Sequence, residues 1–252
     1  MTNYINPPEK APQNVGHNTF YSQILQHEIG YNIYLPPCYK NSEEKFPVVY
    51  HLHGWTHNES TEIWPLEKVY QNSQTIMVFV NVIAIPTDYL EALWQIESIL
   101  IDEMIPHIDG RYRTDTSRTG RGITGFSMGG NMAFYIAVKH AQLFGAVIAY
   151  AGTYHHLYHK GSRTVGEAPE KAVELYQVMM DEERYLEENN ILWLVRQNAE
   201  KIRGALNITM HIGTADILFC DNEIMHLYLN SLNIPHAYKK FEGVEHELEK
   251  IV

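Results

Sequence analysis

The sequence predicts an α/β fold with a doubly wound, mostly parallel sheet. Short apolar runs typical of strands buried on both faces recur along the chain, and stretches with helical periodicity separate them. This alternation, with right-handed crossovers, places parallel strands between layers of helices. The chain has 252 residues, of which 45% are hydrophobic, and that size fits one large α/β domain. We therefore expect a single domain over residues 1–252.

The N-terminal half is expected to open with an antiparallel hairpin. Its strands are predicted over residues 19–27 and 30–35, and Pro36-Pro37 closes the second one. The apolar runs 46–52 and 76–83 then indicate central parallel strands. Apolar side chains between residues 89 and 108 recur at spacings that predict one long helix.

The C-terminal half continues the alternation with one interruption. Strands are predicted at 121–126, 145–150, 208–213 and 237–241, and helices at 131–140, 190–203 and 221–232. Residues 153–189 are polar, rich in His, Glu and Tyr, and longer than an ordinary connection. We interpret this segment as a lid-like insertion, helical from about Pro169 onward.

The charge balance bears on the possible partners. The net charge of −11 comes without any basic block, which argues against nucleic acid or an anionic membrane and favours a small neutral substrate. No apolar run reaches the length of a membrane span, and residues 1–10 lack the apolar core of a signal peptide. A cytoplasmic location is expected, or a secreted one if a leader has been removed. Cys38 and Cys220 are expected to be reduced thiols.

The stretch "GFSMGG" at residues 125–130 carries the strongest functional signal. A predicted strand leads into Ser127 and a predicted helix leaves it, as a nucleophile elbow requires. Serine needs a base to accept its proton and an acid to orient that base, and in doubly wound hydrolases the order is Ser, acid, His. Asp216, in "IGTAD", and His246, in "GVEHE", follow the later strands in that order.

Acyl transfer also needs backbone N–H donors for the developing oxyanion. Met128, directly after the serine, is the first candidate. The loop "HLHGWTH" after an earlier strand is expected to supply the second donor, at Trp55 or alternatively at Gly54.

These motifs, together with "YNIYLPPCYKNSEEKFPVVYHLHGW" and "LIDEMIPHIDGRYRT", resemble the Putative esterase family. That family includes esterase D, tributyrin esterases, and the feruloyl and acetylxylan esterases of carbohydrate esterase family 1. The resemblance implies an α/β-hydrolase fold, a triad of Ser127, Asp216 and His246, and an oxyanion hole at Trp55 and Met128. It implies a serine carboxylesterase for short-chain or aromatic esters and requires no cofactor.

Other interpretations stay open at this point. An acyltransferase, a peptidase or a non-catalytic binding protein could share the scaffold. His155 and His159 have a spacing that could bind a metal, but no carboxylate or cysteine completes the set, and we expect none. Gly54, Tyr154 and His155 are candidate substrate-binding residues. The oligomeric state is not indicated.

Overall fold

A computed structural model describes residues 4–81, 89–154, 171–181 and 191–252 of the chain. The chain divides into two compact units, Met1–Ile123 and Thr124–Val252. Each unit combines strands with flanking helices, and each is described below by itself.

The first unit contains four strands paired in the order β1-β2-β4-β3. They are β1 (Val15–Ser22), β2 (His27–Tyr34), β3 (Val48–Leu52) and β4 (Ile76–Val80). β1 and β2 form the expected antiparallel hairpin, β2 pairs antiparallel with β4, and β3 runs parallel to β4. All five residues of β4 are buried, as its continuous apolar run predicts.

The helices of the first unit are α1 (Glu67–Tyr70), α2 (Tyr89–Ser98) and α3 (Ile105–Arg111), and a short 3₁₀ helix follows β2 at Pro37–Asn41. A π-helical stretch, Ile99–Met104, joins α2 to α3. The run is helical throughout, as the periodicity predicts, but its middle has the wider π geometry. A second 3₁₀ helix, Arg118–Gly120, precedes the next strand.

The second unit orders its strands β5-β6-β7-β8. β5 (Arg121–Phe126) begins in the first unit and ends in the second, and β6 (Ala146–Tyr150), β7 (Asn207–Gly213) and β8 (His236–Phe241) follow. The pairs β6/β7 and β7/β8 are parallel. The helices are α4 (Met128–Lys139), α5 (Ala172–Asp181), α6 (Ile191–Ile202), α7 (Phe219–Ser231) and α8 (Leu248–Ile251).

The first strand differs from its predicted position over residues 19–27. β1 begins at Val15 and ends at Ser22, because a turn follows in which Gln26 adopts φ +55°. Most of β1 is only partly buried, so the residues at its beginning show no apolar pattern that would reveal a strand.

The chain ends in a single short helix. α8 spans four residues, and its Leu248 and Ile251 are buried. The Nδ1 atom of His211, on β7, donates a hydrogen bond to the carbonyl oxygen of Ile251 at 2.6 Å. This contact holds the end of the chain against the second unit's sheet.

Of the predicted lid-like segment 153–189, the structure describes residues 153–154 and 171–181. Within that part, α5 packs against α7. The rest of the segment, including His155 and His159, lies outside the described residues.

Several general features concern the described residues only. None of their helices has both the length and the apolar character needed to cross a membrane. They contain no cluster of three metal-binding side chains. Cys38 is exposed, Cys220 is buried, and neither takes part in a disulfide bond.

Candidate active site

Ser127 occupies a sharp turn between β5 and α4. Its backbone has φ +55° and ψ −117°, a conformation that residues with a side chain rarely adopt. The Ser127 N–H donates to the carbonyl of Tyr150 at 2.9 Å, and the Ser127 carbonyl accepts from the N–H groups of Asn131 and Thr153, each at 3.1 Å. These three hydrogen bonds hold the strained residue in place.

The glycines around Ser127 are required by close backbone packing. A Cβ at Gly125 would lie 2.2 Å from the carbonyl oxygen of Gly129. A Cβ at Gly130 would lie 2.9 Å from the carbonyl oxygen of Tyr150 and would force a shift of backbone. The strand, turn and helix predicted from "GFSMGG" are therefore present, and sterics explain these two glycines.

Asp216 lies in the turn that follows β7. Its Oδ1 accepts a hydrogen bond from the N–H of Leu218 at 2.8 Å, which fixes the carboxylate. Its Oδ2 accepts from Nδ1 of His246 at 2.7 Å, and the Asp216 side chain is fully buried. This bond assigns the proton of His246 to Nδ1 and leaves Nε2 as an acceptor.

His246 reaches the serine with its other ring nitrogen. The distance from Nε2 of His246 to Oγ of Ser127 is 3.0 Å. The ring of Phe126 stacks on the imidazole with centroids 4.6 Å apart. The His246 side chain is 28% exposed, whereas Ser127 is 9% exposed. The structure thus brings together the three side chains that the sequence assigned to a triad.

The loops that carry the acid and the base are joined through their backbones. A Cβ at Gly213 would lie only 2.0 Å from the carbonyl oxygen of Val244, so the approach requires glycine. The N–H of Ala215 donates to that same carbonyl at 3.0 Å, and the N–H of Gly243 donates to Oγ1 of Thr214 at 2.8 Å. These contacts fix the position of Asp216 relative to His246.

Met128 is the first residue of α4. The first four N–H groups of a helix have no carbonyl partner within the helix, and they lie at the positive end of its dipole. The Met128 N–H is the first of these four groups, directly after Ser127, and it therefore lies in an environment that favours negative charge.

In the first unit, the loop after β3 forms a turn over residues 54–57. The N–H of His57 donates to the carbonyl of Gly54 at 3.2 Å, and Thr56 has φ +66°. A positive φ at the third residue is the mark of a type II turn, where glycine is usual and a β-branched residue is strained. The Trp55 side chain is exposed.

One buried carboxylate, Glu62, holds this turn and was not indicated by any sequence motif. Its Oε1 accepts from the N–H of Gly54 at 2.9 Å and from Nδ1 of His57 at 2.7 Å, and its Oε2 contacts Nε2 of His51. Burial disfavours the charged carboxylate, but the bonds from His51, His57 and the Gly54 N–H outweigh it and lower the pKa of Glu62 to about 2. The only signal in the sequence was an acidic residue close to three histidines, which is too common to be specific.

The same contacts affect the neighbouring histidines differently. The hydrogen bond to Glu62 raises the pKa of His57, against the opposing effect of its burial. Burial lowers the pKa of His53, whose Nδ1 donates to the Gly54 carbonyl at 2.8 Å. His53 therefore favours its neutral form at neutral pH, whereas His57 gains a preference for the charged form.

The candidate substrate-binding residues have different outcomes. Tyr154 is fully buried and packs edge-to-face on Phe134 at 5.6 Å, and its contact with a substrate stays a prediction. Gly54 is buried within its turn. His155 lies outside the described residues.

Comparison with known proteins identifies the family. The profile described as "Putative esterase" matches residues 22–249. The chain belongs to this family. Residues 22–249 include both the serine turn and the loops that carry Asp216 and His246.

Curated relatives match only part of the chain. An endo-1,4-β-xylanase/feruloyl esterase from Xylanibacter ruminicola is 30% identical over 151 residues, which are 52% of this chain and 20% of that protein. Esterase Rv1288 of Mycobacterium tuberculosis is 25% identical over 135 residues, 49% of this chain and 29% of that protein. The matches span less than a third of these longer relatives.

Solved structures show the same fold over nearly the full length. A ferulic acid esterase has a TM-score of 0.72 at 21% identity, covering 94% of this chain and 92% of the other. The S-formylglutathione hydrolase FrmB of Staphylococcus aureus has a TM-score of 0.69 at 14% identity, covering 93% and 92%. The fold is that of the α/β-hydrolases, as the sequence predicted.

Proposed function

We propose that this chain is a serine carboxylesterase that works through an acyl-enzyme on Ser127. The hydrogen-bonded series Asp216–His246–Ser127, with distances of 2.7 and 3.0 Å, carries the proposal. As in a catalytic triad, the Asp216 carboxylate holds His246 in the tautomer whose Nε2 accepts the serine proton. The strained backbone of Ser127 supports the same conclusion, because strain of this kind concentrates at active sites.

The geometry gives each residue one task in the reaction. Nε2 of His246 accepts the Ser127 hydroxyl proton as Oγ attacks the ester carbonyl, and Asp216 stabilises the imidazolium that results. The imidazolium then protonates the leaving alcohol, and Ser127 remains acylated. Water attacks the acyl-enzyme with the same base, which releases the acid and restores the serine.

The oxyanion formed in both steps requires N–H donors. The Met128 N–H at the start of α4 is the first donor of the proposal. The second is assigned to the turn at residues 54–57, with the Trp55 N–H as the predicted donor and the Gly54 N–H as the alternative. Because Glu62 already accepts from the Gly54 N–H, Trp55 is the better of the two.

The proposed substrates are short-chain esters and aromatic esters of the feruloyl type. The similarity to a xylanase/feruloyl esterase and to ferulic acid esterase structures supports an aromatic acyl group. The predicted lid at residues 153–189 remains a hypothesis for what selects among these esters.

A substrate panel tests this proposal. The panel contains p-nitrophenyl acetate, butyrate and octanoate, methyl ferulate and S-formylglutathione, assayed on the wild type and on Ser127→Ala. We expect wild-type turnover of methyl ferulate and of the short esters, and at least a 10³-fold loss in the variant. Equal turnover by both proteins would contradict the assignment of Ser127 as the nucleophile. A preference for S-formylglutathione, which is a thioester, would change the proposed substrate class.

A further inference from the structure

The turn at residues 54–57 is strained and is held from one side by a single carboxylate. Thr56 has φ +66°, a conformation that is strained for a β-branched residue, so surrounding contacts must maintain it. Glu62 contacts both ends of the turn, through the backbone N–H of Gly54 and the side chain of His57. Its second oxygen is anchored by His51, on β3.

Through these contacts, Glu62 connects strand β3 to the turn. His51 lies on a strand and is almost fully buried, so it holds one oxygen of the Glu62 carboxylate in a fixed position. From that fixed position, the other oxygen of the carboxylate sets the direction of the Gly54 N–H and the position of His57. Trp55 lies between these two anchored residues, and the carbonyl of the peptide that carries its N–H accepts from the His57 N–H at 3.2 Å and from Nδ1 of His53 at 2.8 Å.

We propose that Glu62 is a positioning residue that holds the turn so that the Trp55 N–H is preorganised as an oxyanion donor. The inference rests on the proposed function, in which this turn supplies the second donor. An oxyanion donor contributes mainly because it needs no reorganisation during the reaction. If Glu62 is neutralised, the strained turn can relax, and the donor then loses its fixed direction.

The chain contains a matched control in Glu59. This carboxylate is also almost fully buried and lies three residues earlier. It accepts from Nδ2 of Asn6 at 2.9 Å and contacts Nε2 of His17 at 3.2 Å, and among the described residues its side chain makes no bond to the turn. Glu59→Gln therefore removes a buried charge at comparable structural cost without affecting the turn.

The experiment compares Glu62→Gln with Glu59→Gln in the full chain. Active sites are first counted by the burst of p-nitrophenol, and kcat and KM are then measured for p-nitrophenyl acetate well below the melting temperature. We expect Glu62→Gln to lower kcat per active site by roughly 10- to 100-fold with KM changed by less than about twofold. Glu59→Gln should keep kcat within about twofold although its melting temperature falls.

A rescue variant separates positioning from general stability. Glycine adopts positive φ without strain, so Thr56→Gly lets the turn keep its shape with weaker anchoring. The double variant Glu62→Gln/Thr56→Gly should recover at least about fivefold in kcat over Glu62→Gln alone. Should Glu62→Gln fail to fold, His57→Ala removes one anchor and should lower kcat by a few fold at unchanged KM.

The outcomes distinguish this inference from the proposed function. Equal kcat per active site in Glu62→Gln and wild type, or equal losses in Glu62→Gln and Glu59→Gln, overturn the positioning role while leaving the esterase proposal intact. The absence of ester turnover in the wild type overturns the esterase proposal itself. A selective loss in kcat with rescue by Thr56→Gly supports the inference.

Discussion

The strained backbone of Ser127 predicts that the protein becomes more stable when glycine, rather than alanine, replaces this serine. The conformation at φ +55° and ψ −117° matches the first central position of a type II′ turn, which glycine adopts freely. An alanine at residue 127 keeps the strain and removes only the hydroxyl. We therefore compare Ser127→Gly with Ser127→Ala, two variants that both lack the attacking oxygen.

The expected difference follows from two opposing effects. Relief of a strained residue stabilises the folded state by about 1–3 kcal/mol, whereas glycine gains about 0.5–1 kcal/mol of unfolded-state entropy relative to alanine. Ser127→Gly should thus exceed Ser127→Ala in free energy of unfolding by about 1 kcal/mol, which for a chain of this size corresponds to a melting temperature about 2–4 °C higher.

Urea denaturation followed by circular dichroism, together with calorimetry, measures this difference. Both variants should be inactive, so loss of function is constant across the comparison. If Ser127→Gly were equal to or less stable than Ser127→Ala, the backbone at residue 127 would not be strained, which would contradict a nucleophile elbow at this turn.

Further predictions concern the acid, a glycine contact and the pH dependence. Asp216→Asn should lower kcat by about 10⁴-fold, because His246 loses its orienting acceptor. Asp221 is a second buried acid, in the first turn of α7, and Asp221→Asn should keep kcat within about tenfold; the reverse order in steady-state assays would reassign the acid. Gly213→Ala should lower both the melting temperature and kcat, since its Cβ would meet the Val244 carbonyl; wild-type values for both would refute the close approach. The pKa of Glu62 is lowered to about 2, so the stability that its ionised carboxylate contributes is present above about pH 4.5 and is lost as the pH falls toward 2. The free energy of unfolding, measured across that range, should therefore change less with pH in Glu62→Gln than in the wild type.

Much of the fold could be predicted because its strands are buried on both faces. The continuous apolar run of β4 is typical of a strand at the centre of a sheet, and the structure has a fully buried strand there. β1 was misplaced by four residues at its beginning, since an edge strand with one face in solvent carries a weak pattern. The π-helical stretch between α2 and α3 leaves no mark in the apolar pattern, because the buried residues Leu100, Met104 and Ile108 still recur every four positions across its end.

The residues of the candidate site were predictable to different degrees. Ser127, Asp216 and His246 follow strand ends in an order that the chemistry restricts, and the structure places them within hydrogen-bond distance. Glu62 could not be found, because its role depends on three contacts that converge only in the folded turn. Tyr154 was predicted to contact substrate as part of the lid-like segment; its ring packs beside Phe134, and the substrate contact stays a prediction.

The acyl-enzyme on Ser127 is the central claim, and trapping it is the most direct test. Wild-type protein mixed with excess p-nitrophenyl acetate should release about one equivalent of p-nitrophenol per chain in a rapid burst. Quenching in acid, proteolysis and mass spectrometry should then locate one acetyl group on the peptide that contains Ser127, and Ser127→Ala should give neither signal. A burst of the same size in Ser127→Ala, or acetyl on another residue, would contradict the account.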